Sequence, residues 1–355
     1  MAMRDADASE DLVERVRVAH ARHAPLRIVG GDTKSFYGRP VRGESLSTEP
    51  HRGIVAYDPA ELVITVRSGT PLAEVEAVLS EQRQCLPFEP PRFGDGGTVG
   101  GMVAAGLAGP ARCSAGSVRD HVLGARLLTG DARVLKFGGE VIKNVAGYDV
   151  SRLLAGSLGI LGVLLEVSLK VLPRRPASVT QVLELDAAAA LERIAELARS
   201  AWPLIASCWV KGSLYLRFDA SAAALERVRA RIGGESLSQA DAFWTGVRDH
   251  THPFFSSAER LVRVYARVNS SPQACPEQPL IEWHGAERWY RNVELADVDG
   301  RIADQRAQLC QFRGGDLDSE RFAALPAPLA RLHRTLKNVF DPVGILNPGR
   351  MYAGL

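Results

Sequence analysis

Six consecutive residues, Gly30-Gly31-Asp32-Thr33-Lys34-Ser35, carry the first chemistry legible in the chain. They follow a short apolar run, Leu26 to Val29, that reads as a strand. Glycines at a strand end let backbone N–H groups converge on an anion, because no Cβ blocks the approach. Thr33 and Ser35 add hydroxyl donors and Lys34 adds a positive charge, a set that suits a diphosphate. A strand followed by two glycines is also an ordinary turn, so this segment alone decides nothing.

The second candidate is the run GDGGTVGGMVAAGLAGP, Gly94 to Pro110. Glycines 94, 96, 97, 100, 101, 106 and 109 punctuate it, and Ala104, Ala105 and Ala108 fill the gaps with small side chains. Such a run is costly to order. It is expected where a large flat ligand lies against backbone. A flexible loop is the alternative, but flexible loops are usually polar and this one is small and apolar.

Other nucleotide-binding devices are missing from the sequence. No GxGxxG links a strand to a helix, and no GxxxxGK[ST] occurs. The five cysteines, Cys85, Cys113, Cys208, Cys275 and Cys310, form no CxxC, so local ligands for a zinc ribbon or an iron–sulfur cluster are not expected. Of the eight histidines His250 and His252 lie closest together, in Asp249-His250-Thr251-His252-Pro253. The proline and the lack of a matching third ligand favour a loop pair over a metal site. No metal is expected.

These residues need a scaffold, and 355 residues of ordinary globular composition, 46% hydrophobic and 24% charged, can supply two or three domains. The 43 basic and 41 acidic residues are mixed, net +2, which argues against nucleic acid as a partner. The acidic start carries no secretory signal, and the most apolar stretch, Leu153 to Leu172, is interrupted by Gly156, Gly159, Gly162, Glu166 and Lys170. A cytoplasmic protein without a transmembrane segment is expected.

Ser9, followed by Glu10 and Asp11, starts a helix that faces inward with Leu12, Val16 and Ala19. Ile54 to Ala56 and Leu62 to Val66 read as strands, and Thr70-Pro71 as a capping hydroxyl before a helix carrying Leu72, Val75 and Leu79. Val122 to Leu128 and Arg133 to Phe137 read as a hairpin. From Val163 to Val171 a period of two predicts a half-buried strand, and Arg174-Arg175-Pro176 a linker. Beyond it the order is β-α-β-β-α, with Asp186 capping a helix, a hairpin around Lys211-Gly212 and a helix from Ala222 to Ile232 closed by Gly233-Gly234. That order predicts an α+β layer with a mostly antiparallel sheet. The tail, Leu329 to Leu355, is a helix to about Phe340 and then a Pro- and Gly-rich loop.

Five motifs occur in a fixed order: Gly30 to Ser35; Gly97-Thr98-Val99-Gly100-Gly101; Arg119-Asp120-His121-Val122-Leu123-Gly124; Lys143-Asn144-Val145-Ala146-Gly147-Tyr148-Asp149; and Gly156-Ser157-Leu158-Gly159-Ile160-Leu161-Gly162. Together they resemble the FAD-binding domain of the vanillyl-alcohol oxidase and p-cresol methylhydroxylase (PCMH) type. The ending Phe340-Asp341-Pro342-Val343-Gly344-Ile345-Leu346-Asn347-Pro348-Gly349-Arg350 is similar to the C-terminal signature of the 2-hydroxyacid-oxidising branch. Within that branch the short length, Lys34 and the segment Trp283-His284-Gly285-Ala286-Glu287-Arg288-Trp289 look most like the smaller flavin subunits of bacterial glycolate oxidases.

The resemblance implies a fold: a two-subdomain PCMH-type FAD-binding domain over residues 1–173, a smaller α+β cap with a mostly antiparallel sheet over 174–328, and a tail, 329–355, returning to the flavin. It implies that Gly30, Gly31, Asp32, Thr33, Lys34 and Ser35 bind the diphosphate. Gly97, Thr98, Val99, Gly100, Gly101, Ala104, Gly106 and Gly109 would line the flavin, and Gly159, Gly162 and Val163 would meet the nucleotide end. Lys143 and Asn347 are expected at the flavin or the substrate. Many relatives carry an arginine before the first glycines, where this chain has Val29. The first loop has no histidine and Cys113 is expected to be a buried, inert thiol, so the FAD is expected to be non-covalent. His121 is expected to be structural. Tyr148 and Trp283 are either pocket or core.

The implied activity is oxidation of a 2-hydroxyacid, with Lys143, Arg119 or Arg350 available for its carboxylate and no residue identifiable as the base. The implied partners are a larger flavin subunit and an iron–sulfur subunit that takes the electrons, with possible attachment to the inner face of the plasma membrane through them. Two other roles stay open: a subunit that only holds FAD for its assembly, and a free-standing flavin oxidase. Phe243, Trp244, Phe254, Phe255 and Trp289 are the expected apolar docking surface.

Overall fold

The computed structural model describes residues 5–139, 149–268, 278–302 and 307–355. Lys143, Asn144, Tyr148 and Cys275 lie outside the described residues. The chain divides into two compact units, each built from separate stretches of sequence. The first comprises Met1–Leu107, Ser117–Pro173 and Leu317–Leu355; the second comprises Ala108–Gly116 and Arg174–Asp316. Two segments therefore group across the boundaries drawn from sequence at 173 and 328.

In the first unit a five-stranded antiparallel sheet runs in the order Ile54–Asp58, Val63–Arg67, Val163–Lys170, Val122–Leu128, Val134–Gly138. The expected hairpin is its last pair. Val163–Lys170 differs from expectation: it is the central strand and both of its faces are largely buried. Two of its polar residues are paired across strands, Ser168 with Thr65 (2.9 Å) and Glu166 with Arg126 (2.5 Å), so the period of two records polar pairing rather than a wet face. Thr70 also departs from its expected role. Its hydroxyl accepts from the Gly53 N–H (2.9 Å) and donates to the Arg67 carbonyl (2.7 Å), and the helix Leu72–Glu81 has no side-chain cap.

A smaller parallel pair, Leu26–Val29 with Glu44–Ser47, carries the first glycines. The C-terminal tail lies against it: the Leu26 N–H donates to the Ile345 carbonyl (2.7 Å), and the Asn347 N–H donates to the Leu26 carbonyl (3.0 Å). The helix Ser9–Arg22 buries Leu12, Val16 and Ala19 against this assembly, in one core with Leu26, Leu46, Val163, Leu165, Ile345 and Leu346.

In the second unit eight antiparallel strands form one sheet, in the order Glu235–Ser236, Ala177–Glu184, Ser213–Ala220, Leu204–Val210, Leu280–Glu282, Glu287–Arg291, Leu261–Tyr265, Gln308–Arg313. Lys211 (φ 51°) and Gly212 (φ 86°) make the tight turn of the expected hairpin. Asp186 caps the helix Ala187–Ala198 by accepting the Ala189 N–H (2.9 Å). That helix and Ala222–Ile232 bury Ile194, Leu197, Leu225 and Val228 with Trp209, Leu214, Leu216 and Phe218 of the sheet.

The aromatic residues expected on a docking surface form core instead. Trp244, Phe254, Phe255 and Trp289 are buried, and Phe243 is half-buried against the Tyr215 ring (centroids 4.0 Å apart). Trp289 and Phe255 meet edge to face with Phe312 and His250 in the same cluster. Their spacing records interior packing, which sequence alone does not separate from an apolar surface.

Candidate functional site

The glycines of the first unit bring two loops together. A Cβ on Gly30 would lie 2.3 Å from the Thr98 hydroxyl, and one on Gly100 would lie 2.7 Å from the Ser68 side chain. Thr98 is the N-cap of the helix Val99–Ala105, accepting the Gly101 N–H (3.2 Å), so the glycine-dense run contains a short helix that its composition hid. Gly106 ends that helix in the left-handed conformation (φ 64°).

Between the strand Leu26–Val29, this helix and the segment Leu154–Gly162 lies a cleft of about 960 Å3, counting the open solvent at its mouth. Gly30, Gly31, Asp32, Thr33, Lys34 and Ser35 all line it, as do Thr98, Gly100, Gly101, Ala104, Gly159, Gly162 and Asn347. Five other expected residues do not. Gly97 and Val99 hold backbone bonds to Leu72 and Thr70, Gly106 closes its helix, Val163 is core, and Gly109 belongs to the second unit, where its carbonyl accepts the Trp283 indole N–H (3.0 Å).

Two cations of the cleft were not assigned to the cofactor from the sequence: Arg27 was not singled out, and Arg350 was named only for the carboxylate of a substrate. Arg27 lies two residues before Val29 on the same strand and pairs with Asp32 (3.4 Å). Arg350 reaches in from the tail and donates to the carbonyls of Lys34 and Arg39 (3.1 Å each); burial holds its guanidinium below its ordinary pKa. Arg27, Lys34 and Arg350 against Asp32 leave the cleft cationic, which favours a phosphate-bearing ligand. Arg27 had a signal, since it breaks an apolar strand; Arg350 depends on a return of the chain that local pattern does not show.

The cleft fits FAD on one further observation. A Cβ on Gly101 would meet only the Thr98 hydroxyl, at 3.2 Å, so packing within the protein places little demand on a glycine there. Gly101 nonetheless lines the cleft. Ligand space is what a side chain at that position takes.

Asn347 stands at the other wall. Its carboxamide oxygen accepts the Ile28 N–H (2.8 Å) and its nitrogen donates to the Leu158 carbonyl (2.8 Å), leaving one N–H for a ligand. Of the other candidates, Arg119 is exposed and does not line the cleft, while His121 is buried beside Phe88 (ring centroids 5.4 Å apart).

In the second unit His250 stacks on Phe255 (3.9 Å, 3° between planes), and burial, then the Arg313 and Arg263 charges, hold its imidazole well below its ordinary pKa. His252 accepts the Phe254 N–H (3.2 Å) at a helix start. Among the described residues no group of three or more His, Cys, Asp or Glu gathers as a metal site. Cys113, expected to be buried, is exposed as a residue, but its sulfur turns in to donate to the Trp283 carbonyl (3.1 Å), and desolvation pushes the thiol up to about 11. Trp283 is buried with the Arg112 guanidinium 4.4 Å above its ring, which makes it core of its own unit.

Comparison with known proteins agrees with this geometry. Residues 4–138 match the FAD binding domain family, and FAD is the cofactor. The fold resembles that of alkyldihydroxyacetonephosphate synthase, with a TM-score of 0.66 at 16% identity over 96% of this chain and 74% of that one. The D-lactate dehydrogenase of Archaeoglobus fulgidus is 28% identical over 55% of this chain and 44% of its own length. The glycolate oxidase subunit GlcE of Escherichia coli is 45% identical over 99% of this chain and 100% of its own length. The PCMH-type fold and the resemblance drawn from the motifs are both borne out. At that identity over the full length of both proteins, the chain belongs to the family of the glycolate oxidase subunit GlcE.

Proposed function

We propose that this chain is the FAD-binding subunit of a glycolate oxidase-type complex that converts a 2-hydroxyacid, glycolate or D-lactate, to the 2-oxoacid. The observation that carries the reading is the end-to-end similarity to GlcE. Bound FAD supplies the acceptor for the hydride that leaves the α-carbon. The chain's own part is to bind and orient. Lys34 and Arg350, with backbone N–H groups of Gly30 to Ser35, hold the diphosphate without a covalent link, and Gly101 leaves room for the ligand. No side chain is assigned as the base.

The partners in this reading are a larger flavin subunit and an iron–sulfur subunit that receives the electrons. Among the described residues no helix is long and apolar enough to cross a membrane, and the proposal places the complex in the cytoplasm with any membrane attachment through partners. A second reading, that the chain holds FAD while a sister subunit does the chemistry, is favoured by the lining of the cleft: among the described residues its one carboxylate, Asp32, is paired with Arg27, beside the further cations Lys34 and Arg350.

The test is to express the chain alone and with its genomic neighbours, then add glycolate without oxygen and follow the visible flavin band. Bleaching in the assembly supports the proposal. Bleaching in the isolated chain at the same rate removes the need for partners, and a persistent band in both, with FAD bound, refutes the substrate.

A further inference from the structure

Lys337 is a lysine where burial is expensive. It lies in the last turn of the helix Ala327–Phe340 with its side chain 6% exposed, paired with Asp341 at 0%. A buried ion pair costs more to desolvate than an apolar pair of similar volume, and that cost is offset only where its polar atoms are satisfied. Here the ammonium uses all three donors: to the Ile160 carbonyl (2.8 Å), the Asp341 carboxylate (2.7 Å) and the Leu346 carbonyl (2.6 Å). Asp341 in turn accepts the N–H groups of Ile345 (3.1 Å) and Leu346 (2.8 Å). It is also confined by Gly130, where a Cβ would lie 2.1 Å from its carboxylate.

The pair therefore ties the segment at Ile160 to the segment Ile345–Leu346. One residue beyond on each side lies the cleft wall. Gly159 (φ 74°), Leu158 (φ 52°) and Asn347 (φ 43°) all adopt the left-handed conformation, and Leu158 does so without a glycine's freedom. All three line the cleft, and Asn347 bridges Leu158 to Ile28 of the first strand. Lys337 and Asp341 do not line it; they stand behind it.

We propose that Lys337 and Asp341 are positioning residues for the cofactor. They fix the Leu158–Gly159 wall and the Asn347 carboxamide against the first strand, and so set the shape into which FAD fits. An apolar pair could fill the same volume but could not clamp two backbone segments by named carbonyl and N–H groups. The inference rests on the reading of the cleft as the FAD site.

The test is a cycle in FAD affinity, measured by flavin fluorescence on the full chain. Removing one charge strands the other, so the first variant is the pair Lys337→Met with Asp341→Asn, which leaves no buried charge and keeps an acceptor for the backbone. The second is Asn347→Ala, and the third combines all three changes. If the ion pair acts through Asn347, the first and second each weaken FAD binding about tenfold or more, and the combination is within about twofold of the weaker of the two. Multiplicative losses, or unchanged affinity in the first variant, overturn the positioning role. Should the first variant fail to fold, hydrogen exchange on the wild-type chain decides: FAD must slow exchange at the amides of Ile28, Ile345 and Leu346, and no change there overturns it. If the wild type itself takes up no FAD, the cleft reading falls and this inference with it; if it does, only the inference is at stake.

Discussion

Gly31 meets the backbone of Gly96 so closely that a Cβ on Gly31 would sit 1.4 Å from the Gly96 carbonyl oxygen. The two glycine loops are thus each other's neighbours before they are anyone's ligand site. Gly31→Ala must separate them, at a cost of about 1–3 kcal/mol from forced backbone movement. Urea unfolding of the FAD-free protein is expected to show that loss, together with weaker FAD binding. Unchanged stability would mean that the loops do not interlock.

Gly101 predicts the opposite pattern. The first carbon of a side chain there meets only the Thr98 hydroxyl, at 3.2 Å, and valine is no worse a helix former than glycine. Gly101→Val should leave the FAD-free protein folded with near-normal unfolding, and reduce FAD affinity about a hundredfold or more by occupying ligand space. Normal flavin content in this variant would place the ligand elsewhere.

His250 makes the second unit sensitive to acid. Its folded pKa lies well below 6.5, so the unfolded chain binds the proton more readily. The stability this neutral ring allows is fully present above pH 6.5 and is lost as pH falls below it, by at most about 1.4 kcal/mol per pH unit. Glu287, whose pKa burial and Glu282 raise well above its ordinary value, pulls the other way. Comparing wild type with His250→Phe isolates the histidine. All five tryptophans lie in the second unit, so their fluorescence reports its unfolding alone. The variant should lose less stability than wild type between pH 7 and pH 5, and parallel curves would contradict the assignment.

Cys113 is expected to be chemically quiet. With its thiol near 11, alkylation at neutral pH should run about a hundredfold slower than for free cysteine. Cys113→Ser should stay yellow, and both proteins should release intact FAD on denaturation. Flavin left on the wild-type precipitate but not on the variant would establish a covalent link through this sulfur.

What the sequence disclosed was local. The hairpin at Lys211-Gly212, the Asp186 cap and the helix Ser9–Arg22 each follow from residues within a few positions of one another. Gly30 to Ser35 stood out because glycine, hydroxyl and lysine occur together on one short loop. The cleft's other half was legible only through the family resemblance: Arg350 and Asn347 reach it through contacts spanning more than three hundred residues, which local pattern does not report. The helix Val99–Ala105 was masked by two glycines at its start, and the buried aromatics looked like a surface because composition does not report burial. Lys337 and Asp341 left an i, i+4 spacing common on any wet helix, and only the fold shows that the pair is dry.

The tail's place beside the first strand bears on how the protein folds. The Leu26 N–H group waits for Ile345 and the neighbouring Ile28 waits for Asn347, partners some three hundred residues further along the chain. Contacts of such sequence separation are slow to form, because the loop between them must first be closed. The central sheet is therefore expected to assemble before this wall of the cleft does, and uptake of the flavin to be a late event in refolding.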